Sequence, residues 1–427
     1  MHSVSLYKSL RMFGLCLLGA AFADVVTGQV VSPRLLALEA SIRAGEPDAV
    51  EKFWTEVDGK APLVEEIRGE PTHRLVTFLW RGEAPTTRVS VFGGLPAPER
   101  KLMARLHQTS VWYWSEKHPA DARFQYSFIE NVPAVVPMDT AEVLKLIASG
   151  QKDSLNRAVY RNSSYIELPN APLQRWTITH AGTQPGVVTT QLFKSEILNA
   201  EYKLATYVPH GYDQIRGRAW LLIAFDGGFP DMVKTMDNLA HAGKIPPVVV
   251  IGVNNISAAT RRRDLGASDV FLSFLTNEVV PWARKTYKVF TDPEHTIVGG
   301  QSRGGLMALY SGLKASGIFG NVLSLSAFVH NAPQRSFPTP DWMEEPDDLV
   351  VRQFARSNTL PLRIYMEVGR YEALGQSNAV AANRRLRDVL ELKGYTLKYD
   401  EFNGGHDFLR WRDTFAEGLM YLTGVVK

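Results

Sequence analysis

Three side-chain types that cooperate in acyl transfer occur in the second half of this 427-residue chain, each where the backbone should turn sharply. A serine hydroxyl needs an adjacent base to take its proton, and the base needs a third group to orient it. The hydroxyl is Ser302 in Gly300-Gln301-Ser302-Arg303-Gly304, which follows the apolar run His295-Thr296-Ile297-Val298 and precedes the helical pattern Leu306 to Tyr310. The glycines allow a strained strand-to-helix turn and close approach of its flanks, which would lift the hydroxyl above the sheet edge. The imidazole is His406 in Gly404-Gly405-His406-Asp407, directly after an apolar stretch that ends at Phe402. His180, His210, His241 and His330 lack that context and are read as ordinary hydrogen-bonded histidines.

The carboxylate has two candidates in Ile364 to Glu372. Glu372 follows the Gly369 turn and is preferred, because functional side chains in open α/β sheets gather beyond the carboxyl ends of strands. Glu367 lies inside the strand, where side chains alternate between faces. Asp407 is read as a local hydrogen-bonding partner. A tetrahedral intermediate also needs backbone donors for its oxyanion. The amide of Arg303 is one; Gly228, in Phe225-Asp226-Gly227-Gly228-Phe229, is expected to supply the other, against the alternative of an ordinary Asp-Gly-Gly turn.

The elements that must position these groups follow from periodicity. Ser32 to about Asp58 reads as helix, broken at Gly45-Glu46-Pro47. From Leu63 to Phe128, short alternating segments such as Arg74 to Trp80, Thr87 to Phe92 and Arg123 to Phe128 predict an immunoglobulin-like β-sandwich of about a hundred residues. A poorly periodic connector runs from Pro133 to Trp176. Strands at Trp220–Phe225, Val248–Val253, Thr296–Val298, Val322–Leu325, Leu362–Val368 and Thr396–Phe402 then alternate with helices such as Phe271–Thr286 and Ala379–Leu392. That alternation predicts an α/β domain with a mostly parallel sheet, and the order serine, acid, histidine is that of an α/β-hydrolase. The expected domains are 24–174 and 175–427.

Lys8 and Arg11 precede an apolar run from Met12 to Phe22, and Ala21-Phe22-Ala23 is a small-x-small cleavage site. Residues 1–23 are therefore expected to be a secretory signal, too short to span a bilayer comfortably, which places the protein in the periplasm or outside the cell with no stable membrane insertion. The single cysteine, Cys16, would leave with it, excluding disulfides, thiolate nucleophiles and cysteine metal sites from the mature chain. Loss of Lys8 and Arg11 lowers the formal charge from +3 to +1, so no global field points to nucleic acid. The local basic run is Arg261-Arg262-Arg263, for which a solvated loop is the plain reading. No motif calls for a metal or other cofactor. The segment from Asn331 to Leu360 is read either as a lid over the site or as a surface insertion.

Several segments resemble the enterochelin (enterobactin) esterases, a branch of the esterase D-like α/β-hydrolases. In the catalytic half these are Tyr207 to Tyr212, Asp226-Gly227-Gly228, Arg261 to Leu265, Gly300 to Gly305, Gly369 to Glu372 and Gly404 to Asp407. In the first half, Val76 to Arg81, Met103 to Leu106, Val111 to Trp114 and Asp153 to Asn156 resemble the N-terminal module of the same enzymes. The resemblance implies hydrolysis of a ferric catecholate siderophore such as enterobactin, releasing iron, with Ser302 as nucleophile, His406 as base, Glu372 as acid and no cofactor. It implies that Arg261, Arg262 and Arg263 meet the anionic substrate, since guanidinium groups both pair with catecholate oxygens and stack on aromatic rings. Gly266-Ala267-Ser268 replaces a more polar, cysteine-containing run of the family, and Ser154 stands where proline is usual. The alternatives are an exported carbohydrate or feruloyl esterase, and a siderophore-binding protein without hydrolysis.

Overall fold

The computed structural model describes residues 32–83, 85–94, 100–133, 145–146, 148–229, 231–329, 349–373 and 378–424. Residues 1–23, read above as a secretory signal, lie outside them, as does most of the 331–360 segment.

The first helical pattern forms two helices, Pro33–Arg43 and Ala49–Val57, the first capped by the Ser32 side chain on the Leu35 amide. They pack Leu35, Leu38, Phe53 and Trp54 against Leu79 and Val111 of the sheet behind them. Among the described residues nine strands follow: β1 (Leu63–Glu66), β2 (His73–Arg81), β3 (Val89–Gly93), β4 (Arg100–Leu102), β5 (Ala104–Arg105), β6 (Val111–Pro119), β7 (Arg123–Glu130), β8 (Val159–Tyr160) and β9 (Ser163–Glu167). They form two antiparallel sheets, β1-β2-β6-β5 and β4-β3-β7-β9-β8. Val76 and Phe78 from one and Val91, Phe124, Tyr126 and Phe128 from the other interleave as a dry core. This is the expected sandwich, with a correction: the segment read as a connector contributes β8 and β9. Their brevity left no period to detect, and their pairing with β7 is long-range.

The second domain begins with a hairpin that periodicity did not reveal, β10 (Val187–Ser195) and β11 (Ala200–Val208). β10 is an edge strand exposed along nearly its whole length, so it lacks the buried alternation by which strands are recognised. The remaining strands are β12 (Trp220–Phe225), β13 (Val248–Val253), β14 (Thr296–Gln301), β15 (Asn321–Leu325), β16 (Arg363–Gly369) and β17 (Thr396–Phe402). Their order is β10-β11-β13-β12-β14-β15-β16-β17, parallel from β13 onward. Helices cover both faces, and each face has its own apolar core. This is the α/β architecture expected. Phe271–Thr286 is not one regular helix: a π-helical turn at Leu275–Val279 separates two short α-helical pieces. Among the described residues no helix is long and apolar enough to cross a membrane.

The sandwich abuts the carboxyl edge of this sheet. Tyr371, next to Glu372, packs into the sandwich core beside Phe124, and its hydroxyl lies 3.0 Å from His118 Nδ1. The Arg123 amide donates to the Asn403 carbonyl at 3.0 Å. Gly405 is required here, because a Cβ on it would sit 2.4 Å from the Gly94 Cα.

His118 is buried, its Nε2 unpartnered, and burial together with the Lys101 charge holds its pKa down at about 3. The unfolded chain takes up this proton near pH 6.5 and the native chain does not, so stability falls as pH drops from about 6.5 towards 3. The expected slope from this group is about 1.4 kcal/mol per pH unit. Urea titrations between pH 7 and 4 should show that His118→Gln flattens the acid limb by one proton; an unchanged slope refutes the assignment.

Candidate active site

Ser302 occupies the turn between β14 and the helix Arg303–Lys314 with φ 58° and ψ −120°. A non-glycine residue there costs on the order of 1–3 kcal/mol and persists only where its surroundings hold it. The Ser302 amide donates to the Leu325 carbonyl at 2.8 Å, and the Ser302 carbonyl accepts from Leu306 at 3.2 Å. Gly300 permits the turn because a Cβ on it would lie 2.6 Å from the Gly304 carbonyl carbon. The strain thus buys a hydroxyl at the end of a buried strand, on the wall of a cleft of about 560 Å³ that His406 also lines.

His406 Nδ1 donates to Glu372 Oε2 at 2.6 Å. Glu372 is almost wholly buried, and its other oxygen is satisfied by the Gly369 amide at 2.9 Å and the Ser326 hydroxyl at 2.8 Å. Ser326 in turn accepts from Trp411 Nε1 at 2.9 Å. Edge-on contacts with Phe328 and Trp411 fix the imidazole plane, their ring centroids 5.3 and 4.7 Å away. With Nδ1 committed to a carboxylate, Nε2 is left as the proton acceptor. Among the described residues no hydrogen bond joins Nε2 to Ser302 Oγ; such contacts are often long before substrate binds.

Of the two candidate carboxylates, Glu372 reaches the histidine and Glu367 does not. Glu367 is fully buried behind it, with Oε2 unpartnered. Burial, and after it the Glu372 charge, hold the Glu367 carboxyl well above the usual range. Asp407 behaves as the expected local partner, capping the helix Phe408–Thr423 through the Arg410 amide and accepting from the Gln125 amide of the sandwich.

The expected second oxyanion donor and the expected arginine cluster need correction. Arg303 opens its helix, where an amide has no intrahelical acceptor and is free for an oxyanion. The Gly228 amide is engaged: it closes a turn onto the Phe225 carbonyl at 3.0 Å, a consequence of positive φ at Asp226, Gly227 and Gly228. The three arginines do not form one patch. Arg261 lines the cleft, with Nε and Nη2 of its guanidinium donating to Asp226 at 2.6 and 2.8 Å. Arg263 turns to Asp264 at 2.7 Å and Tyr202 at 3.2 Å. Arg262 is exposed. On a helix, three consecutive side chains point about 100° apart, so a run of arginines cannot share one target. Arg303 has its pKa lowered by burial and then by Arg261 and Arg262, so positive charge gathers beside the nucleophile.

Sequence reasoning missed Arg161, Phe408 and Trp411, all of which line the cleft. Phe408 and Trp411 follow His406 so closely that a helix starting at Asp407 would have suggested them. Arg161 comes from the β8–β9 turn of the sandwich, and no local signal marks it. Among the described residues no group of three or more His, Cys, Asp or Glu side chains is arranged to hold a metal ion.

A family model described as "Putative esterase" matches residues 195–422, more than half of the chain, and one described as enterochelin esterase, N-terminal, matches residues 75–177. An iron(III) enterobactin esterase of Dickeya dadantii is 29% identical, the match covering 90% of this chain and 94% of that protein. An iron(III) salmochelin esterase of Escherichia coli O6:H1 is 26% identical, over 91% of this chain and 98% of that protein. Among solved structures, ferric enterobactin esterase from Salmonella typhimurium superposes with a TM-score of 0.70 at 27% identity, covering 87% of this chain and 98% of that one. The Shigella flexneri enterobactin esterase determined in the presence of enterobactin gives 0.68 at 25%, covering 87% and 97%.

Replacing Glu372 by Gln should leave the imidazole mis-oriented and lower kcat by about 10²- to 10⁴-fold. Glu367→Gln, near-isosteric with a carboxyl that burial biases towards its protonated form, should cost less than about threefold. Steady-state kinetics on one ester separate the two; equal losses would overturn the assignment.

Proposed function

We infer that this chain, which belongs to that esterase family and carries an enterochelin esterase N-terminal module, is a serine esterase that hydrolyses the ester bonds of a ferric catecholate siderophore such as enterobactin. The observation that carries the reading is the buried Glu372–His406 contact at 2.6 Å, facing the same cleft as the strained Ser302 turn.

Ser302 Oγ attacks the ester carbonyl while His406 Nε2 takes its proton, and Glu372 stabilises the imidazolium that forms. The Arg303 amide meets the developing oxyanion. Collapse breaks the ester C–O bond, and His406 returns its proton to the departing seryl alkoxide of the siderophore. Water, activated by the same histidine, then releases the acyl group from Ser302. Hydrolysis of the scaffold exchanges one multidentate ligand for separate dihydroxybenzoyl-serine units, and the loss of effective concentration weakens their hold on iron. The excess of guanidinium groups around Ser302 suits a substrate whose iron complex is an anion.

Residues 1–23 act in this reading as a cleaved export signal, so that the ester is hydrolysed in the periplasm or outside the cell. Mass spectrometry of the protein recovered from the periplasm or medium should give a chain starting at Asp24; recovery of the full-length chain from cytosol alone refutes export.

Chromatography of products from ferric enterobactin should show dihydroxybenzoyl-serine with the wild type and a loss of about 10⁴-fold or more in rate with Ser302→Ala. Tight binding without product would make the protein a siderophore carrier. Turnover of feruloyl sugars but not of enterobactin would move the substrate class.

A further inference from the structure

We propose that Arg161 and Phe408 form a subsite for an anionic aryl group at the mouth of the cleft, so that a two-residue turn of the sandwich selects the substrate of the second domain. The proposal rests on the esterase reading above and adds a specificity determinant to it.

Arg161 and Asn162 are the two residues joining β8 to β9, with Tyr160 opposite Ser163. Tight hairpin turns need positive φ, which favours glycine, asparagine or aspartate. Arg161 adopts φ 54° there. A long β-unbranched cation is a poor choice for this backbone, and strain of this kind points to a function that outweighs it.

The turn is held from three sides. The Tyr160 carbonyl accepts from Gln125 Nε2 at 2.9 Å, the Tyr160 hydroxyl donates to Asp231 at 3.2 Å, and the Arg412 guanidinium lies 4.4 Å from the Tyr160 ring centroid. This anchoring aims the next side chain across the domain boundary. The Arg161 guanidinium lies 4.1 Å from the Phe408 ring centroid and lines the cleft with Ser302 and His406.

Its charge is not spent on a carboxylate. Arg261 is held by Asp226, Arg263 by Asp264 and Arg412 by Asp231, whereas Arg161 has no acidic partner among the described residues. Part of the guanidinium edge meets the Tyr160 hydroxyl; the remaining edge N–H groups can meet an anion, and the exposed faces of the pair accept a second aromatic ring. Those two contacts match an aryl group carrying negative oxygen.

Arg161→Gly tests this without threatening the fold, because glycine relieves the turn strain while removing the side chain. The thermal midpoint should equal or exceed that of the wild type. KM for ferric enterobactin should rise about tenfold with kcat nearly unchanged, and the ratio of its kcat/KM to that of neutral p-nitrophenyl acetate should fall by a similar factor. Arg161→Lys, which keeps the charge but not the plane, should fall between. An unchanged ratio, or equal losses on both esters, overturns the subsite.

Should the wild type hydrolyse p-nitrophenyl acetate through Ser302 and leave ferric enterobactin intact, the siderophore reading fails and the subsite is decided by inhibition. 2,3-Dihydroxybenzoate should then inhibit the wild type more strongly than cyclohexanecarboxylate, and Arg161→Gly should abolish the difference. Equal inhibition by the two acids in the wild type refutes it.

Discussion

A nearly buried carboxylate against an imidazole is the contact on which the rest of the site depends. Glu372 leaves water almost completely, and a carboxylate does so only when its oxygens are hydrogen-bonded. One oxygen meets His406; the other meets the Gly369 amide and the Ser326 hydroxyl, itself held by Trp411. These partners come from the ends of β15 and β16, the loop after β17 and the final helix. Four separate segments must therefore be in register before the acid is satisfied, which makes the Glu372–His406 pair a product of the sheet's carboxyl edge as a whole.

The sandwich takes part in that register. The Tyr371 amide donates to the Gly404 carbonyl, joining the acid turn to the histidine loop, and the Tyr371 ring inserts into the sandwich core beside Phe124. On the histidine side, the Gln125 amide meets Asp407, and Gly94 lies against Gly405 with no room for a Cβ. Both loops that carry the Glu372–His406 pair thus rest on the same module. The sandwich supplies a wall of the cleft and a brace for its chemistry, so the two domains cannot be assigned separate tasks of binding and catalysis.

Charge in the cleft is organised by pairing. Asp226 accepts from Nε and Nη2 of Arg261 and fixes the loop beside the nucleophile, while burial behind Glu372 holds the Glu367 carboxyl well above the usual range. A second full negative charge next to Glu372 would compete for the imidazolium; a neutral carboxyl does not. Arg161 reaches the cleft from the sandwich, and Arg303 opens the helix after Ser302.

Periodicities of two and 3.6 residues are local properties, so the parallel strands, most of the sandwich strands and the helix Ala379–Leu392 were legible directly in the chain. So were Ser302, His406 and Glu372, because in an alternating sheet functional groups sit immediately after strand ends, and each of these follows one. β8, β9 and β10 were not legible: the first two are too short to show a period, and the third is an edge exposed to solvent. The direction of a side chain in a turn is equally invisible locally. Tertiary contacts alone decided that the Gly228 amide closes its own turn and that Arg261 and Arg263 diverge. They alone brought Arg161 to the cleft from about 140 residues before Ser302, since that placement depends on how one domain docks against another. Sequence by itself determined which chemistry the chain can perform; the docking of the two domains determined which groups surround it, because those distances are set by packing between segments that share no local pattern.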